Sequence, residues 1–153
     1  MALKKTKHMR IYMDNCCLNR PFDDQSKMRI RLEAEAVLYI QEKIAAHEIE
    51  LAWSYIIDYE NSFNPFDEKQ SAINDLKAFV TVDTGETDSI LKNAGSIQKF
   101  GLKAFDALHV AGAIETGCDY FLTTDDSMLK KLSGFAKIKV ISPIELIKIL
   151  EER

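Results

Sequence analysis

Apolar residues in this chain follow two rhythms, and the switches between them mark strands alternating with helices. Short runs rich in β-branched and aromatic residues predict strands at Met9–Met13, Ile49–Trp53, Phe79–Val82, Tyr120–Thr123 and Ile138–Ile141. From about Lys27 to His47 the pattern is helical: Ile30, Ala34, Val37, Leu38, Ile44 and Ala45 fall near a period of 3.6. Ser54 reads as the N-cap of a helix running to about Phe63. Asn64-Pro65 reads as the N-cap and first position of another, ending near Phe79. A helix follows from about Glu86 to Lys99, with Gly101 just past its C-cap, and the next spans about Lys103–Thr116 and stops at Gly117. Asp125–Leu132 is a short helix. Ser142-Pro143-Ile144-Glu145 joins a capping serine, a first-turn proline and a capping-box glutamate at the start of the last helix. Residues 14–26 (DNCCLNRPFDDQS) read as a polar connection around Pro21. Such alternation implies an α/β fold: a three-layer α/β/α sandwich with a central, mostly parallel five-stranded sheet.

At 153 residues the chain fits a single domain over residues 9–153. Residues 1–8 are expected to form a flexible tail; they are basic, with no apolar stretch behind them to make a signal peptide. No apolar run approaches a membrane span, so no membrane partner is expected. Three cysteines, Cys16, Cys17 and Cys118, are too few and too odd in number for a disulfide framework. They fit free thiols in a reducing cytoplasm. A net charge of -4 excludes a bulk polycation, so a nucleic acid would have to be met by a local basic patch.

The chemistry lies in four carboxylates at or near strand ends: Asp14, Glu60, Asp106 and Asp125. In an open α/β sheet the carboxyl ends of the strands line the ligand crevice. Two carboxylates about 4 Å apart repel by roughly 4 kcal/mol at an effective dielectric near 20. A cluster therefore needs a proton or a hard cation, and oxygen-only ligation suits Mg²⁺ or Mn²⁺. Each acid alone has an ordinary explanation: a turn for Asp14, a solvated helix face for Glu60, a first-turn charge for Asp106, an N-cap for Asp125. Asp126 is an equally suitable acid one residue on. His109, one turn after Asp106, shares its face and can hydrogen-bond a carboxylate or serve as a structural residue. Asn15, Ser54 and Thr124 can orient carboxylates or a bound water. Arg20, Lys99 and Lys103 are candidate phosphate contacts, or plain surface charges.

Three segments carry a family resemblance: the strand ending in Asp14, the stretch SYIIDYE from Ser54 to Glu60, and KAFDALHVAGAIETGCDYFLTTDDSML with Asp106 and Asp125. Together they resemble the PIN domain, a family of metal-dependent ribonucleases that includes toxins of toxin–antitoxin pairs, and the likeness covers the chain from Met9 onward. The resemblance implies that Asp14, Glu60, Asp106 and Asp125 hold one or two Mg²⁺ or Mn²⁺ ions. It implies RNA as substrate, with 5′-phosphate and 3′-hydroxyl products, a homodimer, and an antitoxin protein as partner. The sequence departs from the family at Asp14-Asn15-Cys16-Cys17, where Thr or Ser and then Asn usually follow the first acid. Its connection over residues 18–26 is also longer than in a typical toxin.

The expected function is thus metal-dependent hydrolysis of RNA phosphodiester bonds. The alternative is a non-catalytic PIN-like module that binds RNA or protein. A phosphatase of the haloacid-dehalogenase type would need a second Asp where Cys16 stands. A receiver domain would need an acid pair by the first strand, and Asp14 has no adjacent acid.

Overall fold

The computed structural model describes residues 8–153, so the expected tail lies, except for His8, outside the described residues. Five strands form one all-parallel sheet: β1 (Met9–Met13), β2 (Ile49–Ser54), β3 (Val80–Thr84), β4 (Tyr120–Leu122) and β5 (Lys139–Ile141), in the order β3-β2-β1-β4-β5. The eight helices between and after them are α1 (Asn15–Asn19), α2 (Met28–Ala45), α3 (Tyr55–Ser62), α4 (Asp67–Asp75), α5 (Asp88–Gln98), α6 (Ala104–Glu115), α7 (Asp126–Lys131) and α8 (Pro143–Glu151). The right-handed rule for parallel crossovers puts α2 and α6 on opposite faces of the sheet. Among the described residues no helix is long and apolar enough to cross a membrane.

The middle strand explains the layering. Ile11, Tyr12 and Met13 have no exposed surface, and neither do Leu51, Ala52 and Trp53 on β2. Neighbouring residues of a strand point to opposite faces. Full burial of consecutive residues therefore requires a helical layer on each side. The edge strand β3 alternates half-buried and exposed positions instead.

Small residues let α6 come down close to the sheet. Ala107, Ala111, Gly112 and Ala113 are buried along it. A Cβ built on Gly112 would stand 3.3 Å from the Cβ of Ser54 and 3.8 Å from a ring carbon of Tyr12. A larger residue there would lift the helix that carries Asp106 and His109 away from β1 and β2. Gly117, with φ +71°, then turns the chain toward β4 as the sequence predicts.

Two segments differ from expectation. Residues 14–26 are not an irregular connection: they hold α1 and a 3-10 turn over Arg20–Phe22. The buried side chains of Cys17 and Leu18 tie this piece to the core, a signal that a polar-looking segment hid. The fourth helix begins at Asp67, because Asn64 caps a tight turn through its Oδ1, which accepts the Phe66 N–H at 3.2 Å.

Phe121 stacks on Tyr12 with ring centroids 5.4 Å apart and is fully buried. Phe121→Ala should cost about 3–5 kcal/mol of unfolding free energy in urea titration. Phe100→Ala, at a ring that is 46% exposed, should cost much less. Equal losses would contradict the assignment of the core.

Candidate active site at the carboxyl ends of the strands

The strand order reverses between β1 and β4, so the chain leaves these two neighbours toward opposite faces and opens a crevice beyond their carboxyl ends. Asp14 follows β1 and Asp125 lies just past β4. The Asp14 N–H donates to Leu122 O at 3.2 Å, which ties the two strand ends together. The Asp14 carboxylate caps α1 by accepting the Cys17 N–H at 3.0 Å. Asp125 caps α7, its Oδ1 accepting the Ser127 and Met128 N–H groups at 2.8 and 3.3 Å. Asp106 sits in the first turn of α6, and Glu60 lies on α3. Three of the four acids thus stand at helix starts, where N–H groups stabilise negative charge.

These carboxylates share one electrostatic field. Burial above all, with the neighbouring Asp106, pushes the Asp14 carboxyl up to about 6, against the Cys17 N–H and the nearby His109, which lower it. Burial also raises Asp106, and Asp125 and Glu60 add to the rise. The Cys16 thiol is pushed up to about 12 by desolvation and then by Asp14, Asp125 and Asp106. It is therefore a protonated thiol among acids, and a poor nucleophile. Among the described residues no three His, Cys, Asp or Glu side chains stand close enough to share a metal ion as they are arranged.

Glu60 is held from behind by a buried hydrogen-bond chain. His109, 2% exposed, contacts Glu60 Oε1 through Nε2 and the Tyr12 hydroxyl through Nδ1, the latter at 2.6 Å. The Tyr12 hydroxyl meets Ser54 Oγ at 2.7 Å, and Ser54 Oγ accepts the Ile56 N–H at 3.3 Å as the N-cap of α3. One polarity satisfies every member. With Glu60 ionised, Nε2–H must donate to it, because a carboxylate only accepts. Nδ1 is then bare and accepts the Tyr12 O–H, and Tyr12 accepts the Ser54 O–H. Burial pushes the Tyr12 phenol well up, which keeps it a donor. Ser54 and His109 were expected near the acids. Tyr12, which links them, read only as a strand residue; its signal was a hydroxyl among the apolar residues Ile11 and Met13 of the central strand, without a partner visible in the sequence.

The remaining expected residues divide. Thr124 is 5% exposed and its hydroxyl has no partner among the described residues, directly before Asp125. Asn15 Oδ1 accepts from Asn19, one residue beyond Asp14. Lys103 precedes α6 and lowers the Asp106 carboxyl. Asp126 is committed elsewhere: its carboxylate takes both Nη atoms of Arg29 at 2.8 and 2.6 Å. Arg20 is likewise engaged, with Asp23 at 2.9 Å and Glu33 at 3.4 Å. Lys99 is the exposed C-cap of α5, and no contact joins it to the acids.

The donor chemistry fits a hard cation. The acids are oxygen donors, the pair Asp14 and Asp106 is destabilised by its own repulsion, and a buried hydroxyl at Thr124 lacks a partner. The arrangement does not yet close around an ion, so binding would require the side chains to converge.

No family model matches the sequence, and no curated protein matches it at a significant level. Solved structures do. VapBC2 from Rickettsia felis, crystallised with a DNA fragment from its promoter, superposes with a TM-score of 0.57 at 13% identity, over 86% of this chain and 97% of that one. The chain has the PIN-domain fold. PAE2754 from Pyrobaculum aerophilum superposes with a TM-score of 0.52 at 16% identity, over 95% of this chain and 99% of that one. Coverage of 86% and 95% of this chain shows that the shared fold accounts for most of its length.

The Asp14 carboxyl gives a pH signature. Its folded pKa, about 6, lies above the ordinary 3.8, so between these values the folded protein holds a proton that the unfolded chain has lost. Stability should therefore rise as pH falls through that window. Asp14→Asn keeps the cap acceptor and removes the charge. It should stabilise the metal-free protein by about 3 kcal/mol at neutral pH, an advantage that fades toward pH 4. Urea titrations at several pH values measure this, and an Asn variant less stable than the parent at neutral pH would refute the burial of an uncompensated charge.

Proposed function

We propose that this protein is a metal-dependent endoribonuclease that hydrolyses RNA phosphodiester bonds, as the toxin of a toxin–antitoxin pair. The observation that carries the reading is the mutual coupling of Asp14, Asp106, Asp125 and Glu60 in the crevice of a PIN-type fold, with no Lys or Arg ion-paired to any of them among the described residues. The PIN-like neighbours and the motif resemblance support it.

In this reading Asp14, Asp106 and Asp125 hold Mg²⁺ or Mn²⁺, with Glu60 at the edge. Bound there, the ion supplies Lewis-acid charge to the phosphate and lowers the pKa of an attacking water. Asp14 and Asp106, whose ionised forms are held at a cost, gain most from binding it. His109 Nε2 engages one oxygen of Glu60, which leaves the second oxygen to orient a water or accept its proton. Thr124 offers an unpartnered hydroxyl beside Asp125. Lys103, whose charge acts on Asp106, is a candidate phosphate contact. A homodimer, an antitoxin that covers the acids and a cytoplasmic location belong to the same reading.

One observation favours a second reading, a non-catalytic module that binds RNA or protein: no three ligating side chains converge as arranged. Mn²⁺ should raise the Tm of the parent protein and not that of Asp106→Asn. Single-stranded and structured RNAs should be cut with Mg²⁺ or Mn²⁺, not with EDTA, and at least about 100-fold more slowly by Asp106→Asn. Cleavage at the parental rate by a folded Asp106→Asn protein would overturn the nuclease reading. A parent with neither a metal-dependent Tm nor turnover would establish the second one.

A further inference from the structure

A cavity of about 310 Å³ opens beside Glu60, between α1 and the joint of α3 with α4. We propose that it is a subsite for one unpaired nucleobase, belonging to a nucleotide next to the scissile phosphate; this rests on the nuclease reading and supplies a specificity element for it. The walls are aromatic and amide. Phe63 and Phe66 line the cavity while 68% and 57% exposed, so neither ring is needed by the core. Lys69 Nζ lies 4.5 Å over the Phe66 ring and brings a cation to the same wall. Exposed aromatic faces with a nearby cation are what single-stranded nucleic acids use, since every base offers a π-face and every nucleotide a phosphate.

The amides are fixed as a set. Asn64 Nδ2 donates to Asn19 Oδ1 at 3.4 Å, and Asn19 Nδ2 donates to the Asn15 carbonyl and Oδ1 at 2.9 and 3.0 Å. With Asn15 Oδ1 taken, its Nδ2 is left with two N–H donors and no partner among the described residues. A neutral, directional donor beside a stacking surface suits the edge of a base, which is read by hydrogen bonds. Asp23, also on the wall, is held by Arg20 at 2.9 Å and does not oppose a ligand with a free charge. Volume favours a base over a peptide segment: the cavity is at the low end of the ~300–1,000 Å³ of ligand pockets, room for a ring and little more. Position favours the same occupant. Asn15 follows Asp14 directly and Glu60 borders the cavity, so a base seated here leads its sugar–phosphate toward the acids. The pocket lies where the sequence departs from its family, at Asn15 and the lengthened connection after it.

The test is an amide NMR titration of the full chain with each of the four 5′-nucleoside monophosphates, and with ribose 5-phosphate as the base-free control. Expected are shifts at the Asn15, Asn19 and Asn64 side chains and at Phe66 and Lys69. Affinities should differ between bases by on the order of fivefold or more. They should fall about tenfold in Phe66→Ala or Phe63→Ala, with Tm unchanged because both rings are exposed. Asp106→Asn should keep the response, so loss of cleavage with base binding retained bears on the reaction alone. An equal response to ribose 5-phosphate, a response elsewhere, or none at all would overturn the subsite. So would a response to the dipeptide acetyl-Phe-Arg-amide but to no nucleotide, which would give the cavity to a protein segment.

Discussion

The constraint on which this molecule turns is a carboxylate at the end of a strand buried on both faces. Asp14 is 3% exposed and follows three residues with no exposure at all. An ionised acid in such a place loses most of its hydration, and the protein replaces only part of it, with the Cys17 N–H. Asp106 on the facing helix then adds repulsion. A fold selected for stability alone would place a Lys or Arg there or replace the acid with an amide. Retention of the charge at a cost is the kind of local conflict that marks a functional site.

The same conflict explains the chain that holds Glu60. Ser54, Tyr12 and His109 are buried polar groups, and each would be destabilising alone. Joined in one direction they satisfy one another and end on the Glu60 carboxylate at the crevice. Close approach of α6 to β2 is what allows the chain to form. That approach depends on Gly112, where even a methyl group would press on Ser54. A packing residue on a helix thus sets the geometry of an acid on another helix, through two hydroxyls and an imidazole.

Much of this was legible in the sequence, for reasons tied to particular residues. The strands were legible because central parallel strands are mostly apolar runs, broken here near their starts by Arg10 and Glu50, and β1 matches its predicted bounds. Helix starts at Ser54 and Ser142 were legible because capping is local chemistry: each serine accepts the N–H expected of it. The acids were legible because strand ends in an α/β sheet are predictable places. What was not legible is non-local. The role of Tyr12 needs partners 42 and 97 residues away. Arg29 with Asp126, 97 residues apart, could not be paired from spacing, so Asp126 looked as available as Asp125. The α1 segment was missed because its helix is short and its anchors, Cys17 and Leu18, sit among polar residues.

The distribution of cations bears on how a polyanion could be bound at all. Arg10 is paired with Glu50, Lys43 with Glu48, Lys77 with Asp58, Arg20 with Asp23 and Glu33, and Arg29 with Asp126. Apart from the pair with the buried Glu33, these are exposed or half-buried pairs that contribute little to stability, but each takes a positive charge out of the field that an approaching phosphate would feel. With a net charge of -4 and unpaired acids in the crevice, long-range attraction works against RNA. On the proposed nuclease reading, affinity would come from short-range terms: a cation captured by the acids, which would reverse the local field, and uncharged contacts that need no field. Stacking on exposed rings and hydrogen bonds from fixed amides are contacts of that kind. They lose little to salt, whereas phosphate contacts weaken steeply with it. If the protein is the nuclease proposed above, the acidity of the crevice therefore favours selection of RNA by the shape and edges of its bases over selection by charge.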